Sequence, residues 1–222
     1  MRTLDEILQR IHVLLEKDNQ YPDSGDEDYE VRTALVQDAV EVWNGEENVL
    51  WSELFTTLAD ASTGDDTTTT DLTYDCPDDF VFLAGTVRLV QNGQRIFFTK
   101  IEPHEQQQWI ESGQKYCYIT GNKSTGFTLH LSEYVATGLT IEYEYYKTVT
   151  IPTTGSSEVE MDDPQFCVYW ALAELVSDED PGLSAKYSSI ASSKLDAMKL
   201  KNNAPSFFQP HTVSDESEGF GA

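Results

Sequence analysis

Basic side chains are scarce in this 222-residue chain, with 14 Lys and Arg against 39 Asp and Glu and a formal charge of -25. A protein that grips a phosphate backbone must gather several cations on one face, and here no such patch can be assembled. Unaided nucleic-acid binding is excluded, while a nucleic acid sliding past a repelling surface is not. Cysteine is sparse too. Cys76, Cys117 and Cys167 are an odd set without a CxxC pair, which excludes a disulfide framework and fits buried thiols in a reducing compartment. No apolar run reaches the roughly 20 residues that span a bilayer, and the first turns are charged, so a soluble protein with no membrane partner is expected.

Catalytic and metal-binding patterns are missing as well. His12, His104, His130 and His211 are scattered, none with the i, i+4 partner of a zinc helix. Asp23, Asp26, Asp28 and Glu30 are dense enough for calcium but lack the twelve-residue EF-hand order, and read as helix caps. Glu158, Glu160, Asp162 and Asp163 read the same way. Residues 121–126, GNKSTG, lack the GxxxxGK[ST] spacing and lead into a strand, which makes them a hairpin turn rather than a phosphate cradle. Glu142 and Glu144 share a strand face as glycosidase carboxylates do, yet alternation on a wet face gives the same pattern. Neither an enzyme nor a cofactor is expected.

What is there is a folded chain, 39% hydrophobic and 11% aromatic, with its charge unevenly placed. Residues 1–75 hold 19 acidic and 4 basic side chains, residues 76–150 hold 8 and 6, and residues 151–222 hold 12 and 4, for net charges of -15, -2 and -8. Periodicity changes with charge. Thr3 and Glu6 form a capping-box pattern ahead of Leu4, Ile7, Leu8, Ile11, Leu14 and Leu15, predicting a helix to about residue 17. Val31, Ala34, Leu35, Ala39, Val42 and Trp43 predict a second helix, with Asp38 beside its stripe, and Val49, Leu50, Leu54 and Leu58 a third over about residues 46–60. The Thr-rich acidic stretch 61–70 is read as a mobile loop.

From residue 71 the period becomes two. Strands are predicted over 71–75, 80–90, 95–99, 115–120, 126–131 and 139–149, with Asn92-Gly93 as a hairpin turn. In the last strand Ile141, Tyr143 and Tyr145 face one way and Glu142, Glu144 and Tyr146 the other, a half-wet sheet with an aromatic left for an interface. Residues 103–111 read as a short helix with Trp109 and Ile110 facing inward. Asp162-Asp163-Pro164 starts a nearly continuous apolar helix to about residue 176, and a last helix runs over about 183–201. The fold expected is α+β: a helical bundle built from both chain ends, residues 1–70 and 153–203, with an antiparallel β-sandwich or partial barrel inserted at 71–152 and a flexible arm at 204–222.

The order of these elements resembles the head-to-tail adaptor, or neck and connector, proteins of tailed viruses, especially the podovirus-type tubular adaptors. The phrases that carry the resemblance are RTLDEILQRIHVLLE at 2–16, CPDDFVFLAGTVRLVQNGQRI at 76–96, GLTIEYEYYKTVTIP at 138–152, DDPQFCVYWALAEL at 162–175 and MKLKNN at 198–203. The resemblance implies a homo-oligomeric ring, commonly a dodecamer, between the portal protein and tail or nozzle proteins. It implies a neck position in the virion, assembly in the host cytoplasm, and double-stranded DNA passing through the lumen unbound. On that reading Phe207, Phe208 and Tyr146 are partner-docking residues, and Asp65, Asp66, Asp178, Glu179 and Asp180 face the lumen or solvent. The alternative is a tail-associated or receptor-binding module whose β domain holds a ligand and whose helices anchor it.

Overall fold

The computed structural model describes residues 2–17, 21–47, 49–62, 72–91, 94–133 and 140–203. A two-residue strand β1 (Arg2–Thr3) opens the chain and pairs antiparallel with β10 (Glu158–Val159). Helix α1 (Leu4–Glu16) follows, and the expected capping box is present in both directions between Thr3 and Glu6. Two of the amides that a helix N-terminus leaves unpaired, those of Leu4 and Asp5, donate to the carbonyls of Ser157 and Gly155, which fastens the N-terminus to the segment entering the C-terminal helices.

Helix α2 (Glu27–Asn44) forms as expected, but its buried face is rotated from the predicted one. Arg32, Val36, Ala39, Val40 and Trp43 are buried, while Val31 and Val42 are exposed. A charged residue sits inside the true stripe, so hydropathy alone selected a neighbouring face. Arg32 is admitted because its guanidinium donates to His12 Nδ1 at 2.8 Å and lies 3.4 Å from a Glu16 carboxylate oxygen and 3.6 Å from Asp28. The acidic cluster at 23–30 acts as a turn and helix start: Asp26 Oδ2 accepts from the Asp23 amide, and Glu27, Asp28 and Glu30 lie in the first turn of α2, where the helix dipole favours negative charge.

The predicted third helix is overturned. Residues 52–54 make one 3-10 turn and the chain then enters strand β2 (Phe55–Ser62). The rest of the sheet comprises β3 (Thr73–Asp75), β4 (Phe80–Leu83), β5 (Val87–Gln91), β6 (Gln94–Lys100), β7 (Tyr116–Asn122), β8 (Gly126–Leu131) and β9 (Thr140–Lys147). The stretch predicted as one strand over 80–90 is two, because β9 offers one edge along its length to β2 and shares the other between β4 and β5. The order is β2-β9-β5-β6-β7-β8-β3; β6 and β7 run parallel and the other pairs antiparallel. The crossover between β6 and β7 carries α3 (Gln106–Ser112). Ile110 on α3 is exposed rather than inward, and Trp109, half-buried, meets the edge of Tyr116. The predicted turn at Asn92-Gly93 lies outside the described residues; pairing continues to Gln91↔Gln94.

The sheet curls into a half-barrel around its own core of Phe80, Leu83, Val87, Leu89, Phe98, Cys117, Leu129, Ile141, Tyr143 and Tyr145. A second core belongs to the helices. Helix α4 (Gln165–Leu175) packs against α1, α2 and α5 (Pro181–Asn203), with Phe166, Cys167, Val168, Ala171 and Leu172 buried. Both chain ends therefore build one bundle, the expected α+β arrangement, and the sheet draws its outermost strand, β2, from the N-terminal segment.

The GNKSTG segment is the β7-β8 hairpin, with Asn122 paired to Gly126. Gly121 has φ +100°, and a β-carbon there would lie 2.1 Å from the Gly126 carbonyl oxygen. Gly121→Ala is therefore expected to cost about 1–3 kcal/mol of stability. Urea denaturation checks it, and an unchanged midpoint would contradict the strain.

Candidate functional site

At the seam between the two cores the described chain presents an apolar recess. Helix α2 ends at Trp43, the chain turns, and Trp51 returns to stack on Trp43 with ring centroids 4.9 Å apart and planes inclined by 26°. The Trp51 indole N–H donates to the Trp43 carbonyl at 2.9 Å, which fixes the path of residues 49–54. Phe55 then enters β2 opposite Tyr146 on β9. Tyr146 meets Phe55 edge-on at 5.6 Å and stacks on Phe82 at 4.9 Å with planes 13° apart.

Phe82 and Tyr146, with Leu50, Trp51 and Leu54, border an open groove of about 210 Å³, with Lys123 and Lys147 among its polar lining. Leu50 is 52% and Phe55 43% exposed, so apolar surface continues outside the groove. Lys147 is held by Glu160. The end of α5 is tied to the segment that lines the groove: Asn202 donates to the Leu50 carbonyl at 2.8 Å and accepts from the Ser52 amide at 2.8 Å.

Tyr146, expected to dock a partner, is thus half-buried and is the central ring of this seam. Asp178, Glu179 and Asp180 are exposed in the turn between α4 and α5; Asp180 also accepts from the Leu183 amide at 2.9 Å and so starts α5. Asp65, Asp66, Phe207 and Phe208 lie outside the described residues. The sequence reading missed Trp51, Phe55, Phe82 and Asn202 as parts of one site. For the first two, the signal was present in the β-branched pair Thr56-Thr57 beside Phe55, which favours a strand over a helix.

Catalytic alternatives find little geometry. Glu142 and Glu144 flank one guanidinium, with Arg88 3.8 Å from the first and 3.1 Å from the second, so the two carboxylates share a single counter-ion on the sheet face. On the outer face of β7 and β8, Tyr118 stacks on His130 at 4.5 Å, and His130 Nε2 lies 2.7 Å from Thr120 Oγ1; burial lowers the pKa of His130. Among the described residues, no three His, Cys, Asp or Glu side chains are grouped to hold a metal ion, and no helix is long and apolar enough to cross a membrane. The three cysteines are free and buried, their thiols pushed up by burial to about 11 for Cys76 and about 12 for Cys117 and Cys167. These are protonated, unreactive thiols near neutral pH.

An apolar seam of this kind suits attachment to another surface, and comparison with known proteins agrees. The family model described as SU10 adaptor protein matches residues 2–214. No curated protein matches the chain. The match spans both helical ends and the whole sheet, so the chain belongs to the SU10 adaptor protein family, structural head-to-tail adaptors of tailed phages.

Proposed function

We propose that this adaptor assembles as a twelve-copy ring in the virion neck, joining the portal protein above to tail or nozzle proteins below, with its lumen conducting double-stranded DNA. The observation that carries this reading is the family match over residues 2–214. Charge supports the channel: twelve copies at -25 each carry -300, and a field of one sign repels phosphates so that DNA slides without sticking. Salt screens that field over about 10 Å at 0.1 M.

In this arrangement the helices of residues 1–70 and 153–203 form the annulus, and the sheet, residues 71–152 together with β2, faces outward or toward tail components. The arm 204–222 reaches the portal. Asp178, Glu179 and Asp180, with Asp65 and Asp66, supply negative charge to the lumen or to solvent; Tyr146 contributes to docking through the seam it borders. Mass photometry of the purified protein, alone and with portal rings, at low and at molar salt, tests the reading. A discrete ring or a stoichiometric collar on the portal is the expected result.

Phe207→Ala with Phe208→Ala is expected to leave the circular dichroism spectrum unchanged and to weaken portal attachment at least about tenfold, since each ring contributes more than 1 kcal/mol when buried. Full attachment of the double variant in a pull-down would remove these residues from the docking site. The second reading, a receptor-binding module, is favoured by Phe97, 56% exposed on β6 and paired with Arg88 on β5. A protein that stays monomeric and ignores portals in both buffers would favour it.

A further inference from the structure

The groove at the seam has a candidate occupant within the same chain. The described chain ends at Asn203, and Asn202 is tied by two hydrogen bonds to Leu50 and Ser52 on the groove's wall. The sequence then places Phe207 and Phe208 four and five residues further on. Five residues of extended chain reach about 17 Å, enough to return to a recess beside their own anchor. The recess also has a suitable size. A closed apolar cavity of about 150 Å³ holds benzene, and this open groove of about 210 Å³ presents aromatic and leucine walls to one benzyl side chain.

Charge complementarity points the same way. In a chain with 14 basic residues, two of them, Lys123 and Lys147, line this one groove, Lys147 already paired with Glu160. The segment after the two phenylalanines carries Asp215, Glu216 and Glu218. Around the groove, Leu50 and Phe55, which packs on Tyr146, leave apolar surface exposed, at 52% and 43%.

We propose that in the free chain the Phe207–Phe208 segment docks back into the groove formed by Leu50, Trp51, Leu54, Phe82 and Tyr146, so that any partner of these two rings must first displace them. Tethering supplies what a single contact lacks. Burial of one aromatic ring is too weak to hold separate molecules together, but a short tether supplies an effective concentration in the millimolar range. The docked tail shields the rings in solution and leaves them releasable. The proposal concerns the isolated chain and holds whether or not a ring forms.

Photocrosslinking tests it on the full chain. With Phe208→p-benzoylphenylalanine, irradiation at submicromolar protein is expected to give intrachain adducts on the peptides carrying residues 49–55 or 80–83, and Leu50→Asp is expected to abolish them. Adducts joining two copies, read from mixed isotope-labelled and unlabelled chains, would assign the segment to a neighbour and overturn the proposal. Intrachain adducts elsewhere, or a yield unaffected by Leu50→Asp, would overturn it as well. A second measurement needs no photoprobe: Phe207→Ser with Phe208→Ser is expected to speed amide hydrogen exchange at residues 49–54 by at least about threefold, and equal rates would count against docking. Portal binding enters neither readout, so failure here leaves the adaptor reading to its own test.

Discussion

Trp43→Ala is expected to lower the free energy of unfolding by about 3–5 kcal/mol, the range for removing a large aromatic side chain from a core. Trp43 is fully buried at the last turn of α2. Its ring supports Trp51 at 4.9 Å, and its carbonyl accepts the Trp51 indole N–H. Removing the ring therefore opens a cavity and frees the segment that carries the chain from the helical bundle to β2. Its own indole N–H has no hydrogen-bond partner among the described residues. A buried orphan donor costs about 1–3 kcal/mol, so Trp43→Phe, which keeps a ring and removes the donor, is expected to cost less than half as much as alanine. Urea denaturation followed by far-ultraviolet circular dichroism measures both. An alanine variant within 1 kcal/mol of the parent, or a phenylalanine variant as damaged as alanine, would contradict this account. The groove wall gives the change a functional consequence, because Leu50 and Trp51 keep their places only while Trp43 backs them.

The parts of the fold written in local chemistry were legible. Thr3 and Glu6 announced α1, Asp162-Asp163-Pro164 announced α4, and the alternation of Ile141, Tyr143 and Tyr145 against Glu142 and Glu144 placed β9 with one face buried. Two errors came from interactions distant in sequence. The face of α2 was misjudged because Arg32 is buried by partners on α1, His12 and Glu16, which no hydropathy stripe can anticipate. Residues 55–60 read as helix because Leu54 and Leu58 have helical spacing, whereas β9 recruits residues 55–62 as a strand, through pairings 78 to 91 residues apart in sequence. Tertiary pairing overrides a weak local preference in such cases.

The seam was hidden for the same reason. Tyr146 was singled out from its strand, but the rings beside it, Phe55 and Phe82, come from two other strands, and the anchoring Asn202 from the end of α5. An apolar site assembled from four separate elements leaves no motif. The family-level reading survived because it rested on the order of elements, which spans the whole chain, rather than on any residue within it.

Alkaline pH is expected to unfold this protein by a route that its buried thiols set. Burial pushes Cys117 and Cys167 up to about 12 from an ordinary value of 9.0, and Cys76 up to about 11. Above pH 9 the unfolded chain sheds these protons while the folded chain keeps them, so the folded state binds more protons and stability falls as pH rises. Each such thiol contributes a slope of about 1.4 kcal/mol per pH unit between its unfolded and folded values. Cys117 and Cys167 together thus remove on the order of 5 kcal/mol by pH 11, comparable with the whole stability of a small domain. Tyr145, raised by burial and by its hydrogen bond to Asp79 up to about 12, adds to the fall above pH 10, and Tyr143, raised by burial and by Cys76, acts in the same direction. Unfolding free energies from urea titrations at pH 8, 9, 10 and 10.5 are expected to decline steeply above 9. Cys117→Val with Cys167→Ala is expected to start lower at pH 8, from lost packing, yet to decline less with pH, because two titrating groups are gone. Parallel curves for parent and variant would show that the thiols do not carry the pH dependence.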